Sequence, residues 1–415
     1  MMEENTVLEN PKLRPVEALP VTVENQEMFA IRDPKSESDE WVLISPQWLF
    51  ILGLFTGHNS IRDIQYLYVK KYGTLISTDI IQDIINQIDE KLLLESPRFQ
   101  QHLQKSKDDY LALPLRPAIY KNKSYPSEPE ELDRHIQSFF TAAKGPGPIK
   151  TENRLAPPAG LIAPHIDFHR GGPCFAHAYK ILAEAQDIDL FILLGTDHDE
   201  TKNFYSLSSK SYDTPFGIAE RDVDFIQQLC RRVDFDLYED EFNHRREHSI
   251  EFQAVFLKWL YQSRSPFTIV PILCGSFLSL ILNDEEPSAN DQIMGFIQAI
   301  RSCLAEYPKK VCIVAGVDFS HVGVQFGAVQ GPTQAELTTI AKEDNELIEK
   351  IAQREPDQFF QLLAKNKNHH NICGVSAIYT LLSIVTASEG KLLNYDYWHD
   401  GKVGSMVSFS SLVFY

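Results

Sequence analysis

The sequence predicts an α/β fold with a mainly parallel, helix-flanked sheet, preceded by a small α+β domain. Three observations carry this. From residue 115 onward, short apolar runs alternate with segments of helical periodicity, the pattern of strand–helix–strand units. Two of these runs, Leu161-Ile162-Ala163 and Leu190-Phe191-Ile192-Leu193-Leu194, end in Pro164 or Gly195 and lead directly to His165 and His198. Functional side chains in α/β proteins collect where strands end and loops begin, so two such histidines can converge on one metal ion. Before residue 100, a hairpin pattern is followed by three helix patterns.

Taken in order, residues 1–20 contain three prolines and no periodicity, and read as a flexible lead-in. Residues 21–100 read as a separate winged-helix-like domain. Met28–Arg32 and Glu40–Ile44 flank the polar turn Asp33-Pro34-Lys35-Ser36. One helix is expected after Ser45-Pro46, a second from Ser60 to Gly73, and a third from Ser77 carrying Ile80, Ile81, Ile84, Ile85 and Ile88. Residues 101–114 read as a polar hinge. Helices are then expected over 128–140, 174–186, 221–231, 248–261, 290–306 and 334–353, with a further one from Cys373. Strands are expected over 159–164, 189–195, 267–273 and 311–316, with a closing pair in 392–415. The glycine pair Gly171-Gly172 reads as a turn. No internal repeat is present.

Composition excludes several functions. The 415 residues carry a formal charge of −18, with a pI near 5.2, opposite to what an extended nucleic-acid surface needs. Residues 21–100 hold seven Lys/Arg against twelve Asp/Glu, and the third helix places Asp79, Asp83, Asp89 and Glu90 ahead of its first lysine. No DNA binding is expected of it. The acidic start Met1-Met2-Glu3-Glu4-Asn5 lacks the apolar segment of a signal peptide. No run reaches the roughly 18 apolar residues of a membrane span. Six scattered cysteines without a CxxC pair favour reduced thiols and a cytoplasmic location.

The order Asp33-Pro34, Leu43-Ile44-Ser45-Pro46, Gly57, Ser60-Ile61, Ile88-Asp89 and Leu92-Leu93-Leu94 resembles the PqqD-like family of winged-helix peptide-binding modules. That resemblance covers about 75 residues and implies a partner strand or peptide added to an exposed β-edge. A packing or dimerisation domain is the alternative.

Beyond the two strand-end histidines, three polar sites stand out. Glu247-His248-Ser249-Ile250-Glu251 opens an apolar-faced helix, and Asp318-Phe319-Ser320-His321 follows a strand. Asn371-Ile372-Cys373-Gly374 precedes a helix, whose N-terminus favours a thiolate. Together with Arg116-Pro117, Ser124-Tyr125-Pro126, Ala163-Pro164-His165, Leu194-Gly195-Thr196-Asp197-His198 and Thr214-Pro215-Phe216-Gly217, this ordered set resembles the Memo family. Within that family it is most similar to the protein B group of the AmmeMemoRadiSam system. The resemblance spans residues 115–415 and implies a fold like that of the class III extradiol dioxygenases of the LigB type, which use non-haem Fe(II).

The resemblance implies that His165, His198 and Cys373 are metal ligands. It places Asp318 and His321 beside the metal, with His321 as acid/base, and His248 as a further pocket histidine; Asp318 is expected to position His321. Cys373 stands where those dioxygenases carry a carboxylate. A thiolate is softer, so Fe(II), copper or zinc all suit the set. Implied partners are a radical S-adenosylmethionine enzyme and an AMMECR-like protein. Three functions remain open at this point: a metal-dependent oxidoreductase, a non-catalytic scaffold, or an enzyme with Cys373 as nucleophile. Asp167 and His169 tune the pocket or cap their loop. His369-His370 reads as a solvated pair in a Lys/Asn-rich loop, and His399 as a rim residue.

Overall fold

The computed structural model describes residues 8–38, 40–150, 152 and 154–415. The chain divides into two compact units between Ala112 and Leu113.

In the first unit, β1 (Glu17–Val23), β2 (Gln26–Arg32) and β3 (Val42–Ile44) form an antiparallel sheet in that order. Glu24 and Asn25 both take positive φ, +50° and +62°, as a two-residue hairpin turn requires. Four helices follow: α1 (Pro46–Gly53), α2 (Ile61–Tyr72), α3 (Thr78–Glu90) and α4 (Pro97–Ala112). Ser45, Ser60 and Ser77 cap the first three, and Ser60 with Asp63 completes a capping box. Ile81, Ile84, Ile85 and Ile88 make one buried face of α3.

Two expectations fail here. The lead-in is ordered from residue 8: residues 17–20 belong to β1, and Arg14 is buried against Asp33 at 3.0 Å. Two opposite charges removed from water hold that segment down. Residues 1–7 of the expected lead-in lie outside the described residues. The polar hinge over 101–114 is mostly helix α4. Its Phe99 and Tyr110, about three turns apart, are both buried, and so give a polar helix one anchored face.

The second unit begins with β4 (Leu115–Arg116), α5 (Pro129–Thr141), β5 (Gly160–Ala163), α6 (Phe168–Glu184) and β6 (Leu190–Thr196). It continues with β7 (Tyr205–Leu207), β8 (Ser211–Tyr212), α7 (Val223–Cys230), α8 (Ser249–Leu260), β9 (Thr268–Cys274), α9 (Leu278–Asn283) and α10 (Asp291–Glu306). Then come β10 (Val311–Gly316), β11 (His321–Gly323), α11 (Gln334–Ala352), α12 (Pro356–Lys365), α13 (Val375–Ile384), β12 (Gly390–Asp400) and β13 (Ser405–Phe414). The main sheet runs β11-β13-β5-β10-β6-β9-β7, with β12 on β13. Its centre, β5-β10-β6-β9, is parallel; β13 and β7 flank it antiparallel.

Alternate residues of the central strands face two separate cores. Leu161, Phe191, Leu193 and Val314 pack with Phe168, Phe175, Phe252 and Phe256 of α6 and α8. Ile162, Ile192, Leu194 and Ile313 pack with α7, α10, α12 and α13. Burial on both faces is why these strands read as unbroken apolar runs.

Helix α6 begins at Phe168 rather than 174, and the glycine pair lies inside it. A Cβ on Gly172 would sit 2.5 Å from the Phe139 ring of α5. Gly172 therefore permits helix–helix contact, and Gly171 makes room for Ile166, whose Cγ2 a Cβ there would meet. Helices α9 and α12 were not expected, and α13 starts at Val375, just after Cys373.

Candidate metal centre

Strand register builds the site. Ala163, Gly316 and Gly195 are direct partners across β5, β10 and β6, at the carboxyl ends of three parallel strands. His165 and Asp318 each lie two residues beyond that line and His198 three, so all three leave the sheet at one level. Helix α13 packs against β10 and β6. Gly374 lets its N-terminus approach closely: a Cβ there would lie 2.6 Å from Val317 Cβ. This brings Cys373 to the same point.

The ligand atoms of His165, His198 and Cys373 all lie within 4.8 Å of one another. Cys373 Sγ is 3.4 Å from His165 Nε2. His165 is buried, and its Nδ1–H donates to the Gly316 carbonyl at 3.0 Å. That bond fixes the tautomer and turns the Nε2 lone pair toward the sulfur. Burial, with His248 and His198 nearby, holds His165 well below its ordinary pKa, so it is neutral at pH 7. The Nδ1 of His198 lies 2.8 Å from Glu247 Oε2. Burial opposes a charge on His198, but the Glu247 carboxylate and the Cys373 sulfur outweigh it and raise its pKa.

Glu247 organises this edge. Its Oε2 also accepts from the His198 backbone N–H, and its Oε1 from Ser249 N at 2.8 Å. His248 Nδ1 is 3.2 Å from Oε1. The His248 ring stacks on His198 at 5.2 Å and meets His165 at 4.9 Å between centroids. Two strand-end glycines admit this first turn of α8. A Cβ on Gly195 would lie 2.5 Å from Ser249 Oγ, and one on Gly316 2.6 Å from the Ser249 carbonyl.

Beneath the turn, Arg116 and Glu251 form a fully buried ion pair. Arg116 also donates to the carbonyls of His244 at 3.0 Å and Glu247 at 2.7 Å, so the guanidinium grips the segment that presents Glu247 and His248. Glu251 accepts from Tyr120 N and the Tyr125 hydroxyl. The motifs containing Arg116, Glu247 and Glu251 were visible in the sequence, but their roles were not. Only the fold brings Arg116 to Glu251, 135 residues away.

Asp318 and His321 differ from expectation in one respect. Asp318 does not position His321. Its Oδ1 accepts from His165 N at 3.0 Å and its Oδ2 lies 3.6 Å from His165 Nε2. Burial raises its pKa to about 7. His321 is instead oriented by its own chain, with Nδ1 2.9 Å from the Phe319 carbonyl. Burial lowers its pKa to about 4, with His198 and His248 contributing. The β11 ladder fixes His321 separately, against Val407 of β13.

Elsewhere, Asp167 is the N-cap residue of α6 and accepts from Ser124 Oγ. His169 stands at 6.2 Å from the Trp398 ring, and His399 is exposed on β12. Cys174, Cys274, Cys303 and Cys312 are buried free thiols. His369 and His370 are not simply solvated, because Glu343 faces both. Among the described residues no helix is long and apolar enough to cross a membrane.

Comparison with known proteins places the chain among Memo-like proteins. The Memo family profile, described as "Memo-like protein", matches residues 116–413. A MEMO1 family protein of Aquifex aeolicus is 29% identical over 390 residues, covering 93% of this chain and 96% of its own. One from Methanopyrus kandleri is 28% identical over 297 residues, 70% of this chain and 95% of its own. One from Thermus thermophilus is 25% identical over 335 residues, 80% and 92% respectively. The Aquifex alignment is longer than the 303 residues from 113 to 415, so it extends into the first unit.

Proposed function

Because the chain belongs to the Memo family and gathers two imidazoles and a thiol where three parallel strands end, we propose that it is a metal-binding redox protein with an extradiol-dioxygenase-like pocket. Donor geometry carries this reading. A tetrahedral ion with bonds of about 2.0 Å to nitrogen and 2.3 Å to sulfur spaces those donors by roughly 3.5 Å. The Cys373 Sγ to His165 Nε2 separation is 3.4 Å. Each imidazole already has its other nitrogen engaged, by Gly316 or Glu247, as ligating histidines do.

His165, His198 and Cys373 would hold the ion, Fe(II) as the resemblance to the extradiol dioxygenases implies, with copper or zinc also compatible with the donors. Three protein ligands leave positions for a substrate, and a bound metal there supplies Lewis-acid or redox chemistry. His321 has its Nδ1–H on the Phe319 carbonyl, which leaves Nε2 as a neutral base near pH 7. At pH 7 it is therefore free to accept a proton, but its lowered pKa makes it a weak base that readily passes the proton on. Asp318 keeps the 165–166 turn seated, and His248 walls the pocket beside His198.

The test is metal analysis of anaerobically purified protein, followed by turnover of catechol-like substrates. His321→Ala should lower turnover by about 10²–10⁴-fold with metal content unchanged. Equal loss of metal would make His321 a ligand, and the absence of any turnover would favour a scaffold.

One observation supports that second reading. Strand β1 is an exposed edge of the first unit's sheet. A PqqD-like, winged-helix-like module at 21–100 ahead of the Memo-like domain at 115–415 would capture a peptide or partner strand there. The radical S-adenosylmethionine enzyme or AMMECR-like protein of the same system is the proposed partner. Slowed amide exchange in β1 on adding that partner tests it; unchanged exchange rules it out.

A further inference from the structure

The loop that delivers Cys373 carries a second donor cluster on its outer side. Glu343 of α11 faces His369 and His370, with Oε2 3.5 Å from His369 Nε2 and 3.4 Å from His370 Nδ1. All three donor atoms lie within 4.8 Å of one another. Bonds of about 2.0–2.2 Å at a tetrahedral angle space nitrogen and oxygen donors by about 3.3–3.6 Å, and both glutamate–histidine separations fall in that range.

Two further observations point to a ligand. Glu343 Oε2 is itself buried and has no hydrogen-bond partner, although a carboxylate oxygen removed from water needs a donor or a cation. The cluster also opens on a pocket of about 270 Å³ lined by Asn366, Asn368 and Leu362, which leaves room for a fourth ligand. The loop itself is held in an uncommon shape: Lys367, Asn368 and Asn371 take φ of +55°, +50° and +52°.

We propose that Glu343, His369 and His370 form a second cation site, for Zn2+ or a similar borderline divalent ion. It has two nitrogens, one carboxylate oxygen and an open position, and no sulfur. This does not depend on the inner cluster binding metal.

The absence of sulfur makes the sites separable. Full-length protein is titrated with Co2+ under anaerobic conditions, and both bound equivalents and thiolate charge-transfer absorption are read. Wild type should bind two equivalents, only one with the thiolate band. His165→Ala with His198→Ala should leave one equivalent without the band. Glu343→Gln with His369→Ala should leave one equivalent with it, and circular dichroism should show the fold retained. If that outer variant still binds two equivalents, or if wild type binds none outside the thiolate site, the proposal is overturned. Loss of the thiolate band alone, with the outer equivalent kept, would instead remove the inner-site reading.

Discussion

The inner cluster of His165, His198 and Cys373 hangs from the ends of hydrogen-bonded strands, whereas the outer cluster of Glu343, His369 and His370 joins a helix to a loop. Inner donors inherit their positions from register: Ala163, Gly316 and Gly195 are in line, and the histidines follow at fixed offsets. Each inner imidazole also has a partner on its far nitrogen. The outer histidines sit in a loop with three left-handed residues, and both face a glutamate whose oxygen lacks a hydrogen bond among the described residues. Histidine pairs thus sit both in a preorganised site and in one that a cation itself must complete. Preorganisation comes from the sheet and from the residues behind the ligands.

Removing ligands should break the comparison most completely. His165→Ala with His198→Ala should abolish stoichiometric metal at the inner cluster and leave the outer equivalent, as read by elemental analysis. Loss of both equivalents would mean that the clusters are not independent.

Next in size is the support beneath the inner site. Arg116→Ala leaves Glu251 buried without its counter-charge and should cost about 3–5 kcal/mol of stability, measured by urea unfolding. A loss under about 1 kcal/mol would show that water or another cation replaces the guanidinium. Glu247→Gln is gentler. It keeps the shape but weakens the hold on His198 Nδ1, and should lower inner-site affinity about 10–100-fold with outer-site affinity unchanged. Equal weakening at both sites would put the effect in the fold.

The last effect concerns pH. His244 lies fully buried on the turn before Glu247, between the Tyr212 hydroxyl and the Ser206 carbonyl. Burial lowers its pKa to about 3. The unfolded chain therefore takes up a proton near the ordinary histidine pKa of about 6.5 while the folded chain does not. Stability should fall as pH drops from about 6.5 toward 3, and His244→Gln should flatten part of that slope. A variant as acid-sensitive as wild type would assign the slope to other groups.

Much of the second unit was legible in the sequence. Its central parallel strands are buried on both faces, so each appears as an apolar run, and several helices announce themselves by period and by Asp, Thr or Pro at their starts. The helix at 97–112 was not legible, because polar residues with only two buried aromatics resemble a linker until a packing surface is supplied. The early start of α6 was hidden for a related reason: glycines that read as a turn are there to let Phe139 and Ile166 close on the helix.

For the site, the sequence alone determined which chemistry was possible. Histidines just beyond apolar runs and a cysteine before a helix are local patterns, and the ordered motifs marked the family. Tertiary structure alone decided who faces whom. Asp318 turned out to hold His165 rather than His321, Glu247 to orient His198, and Arg116 to anchor the segment from 135 residues away. Glu343 likewise meets His369 and His370 only because α11 packs beside their loop. Spacing along a chain constrains neighbours within a turn or two. Contacts between distant segments depend on sheet register and on close approaches, here at Gly195, Gly316 and Gly374, that exist only once the cores have formed.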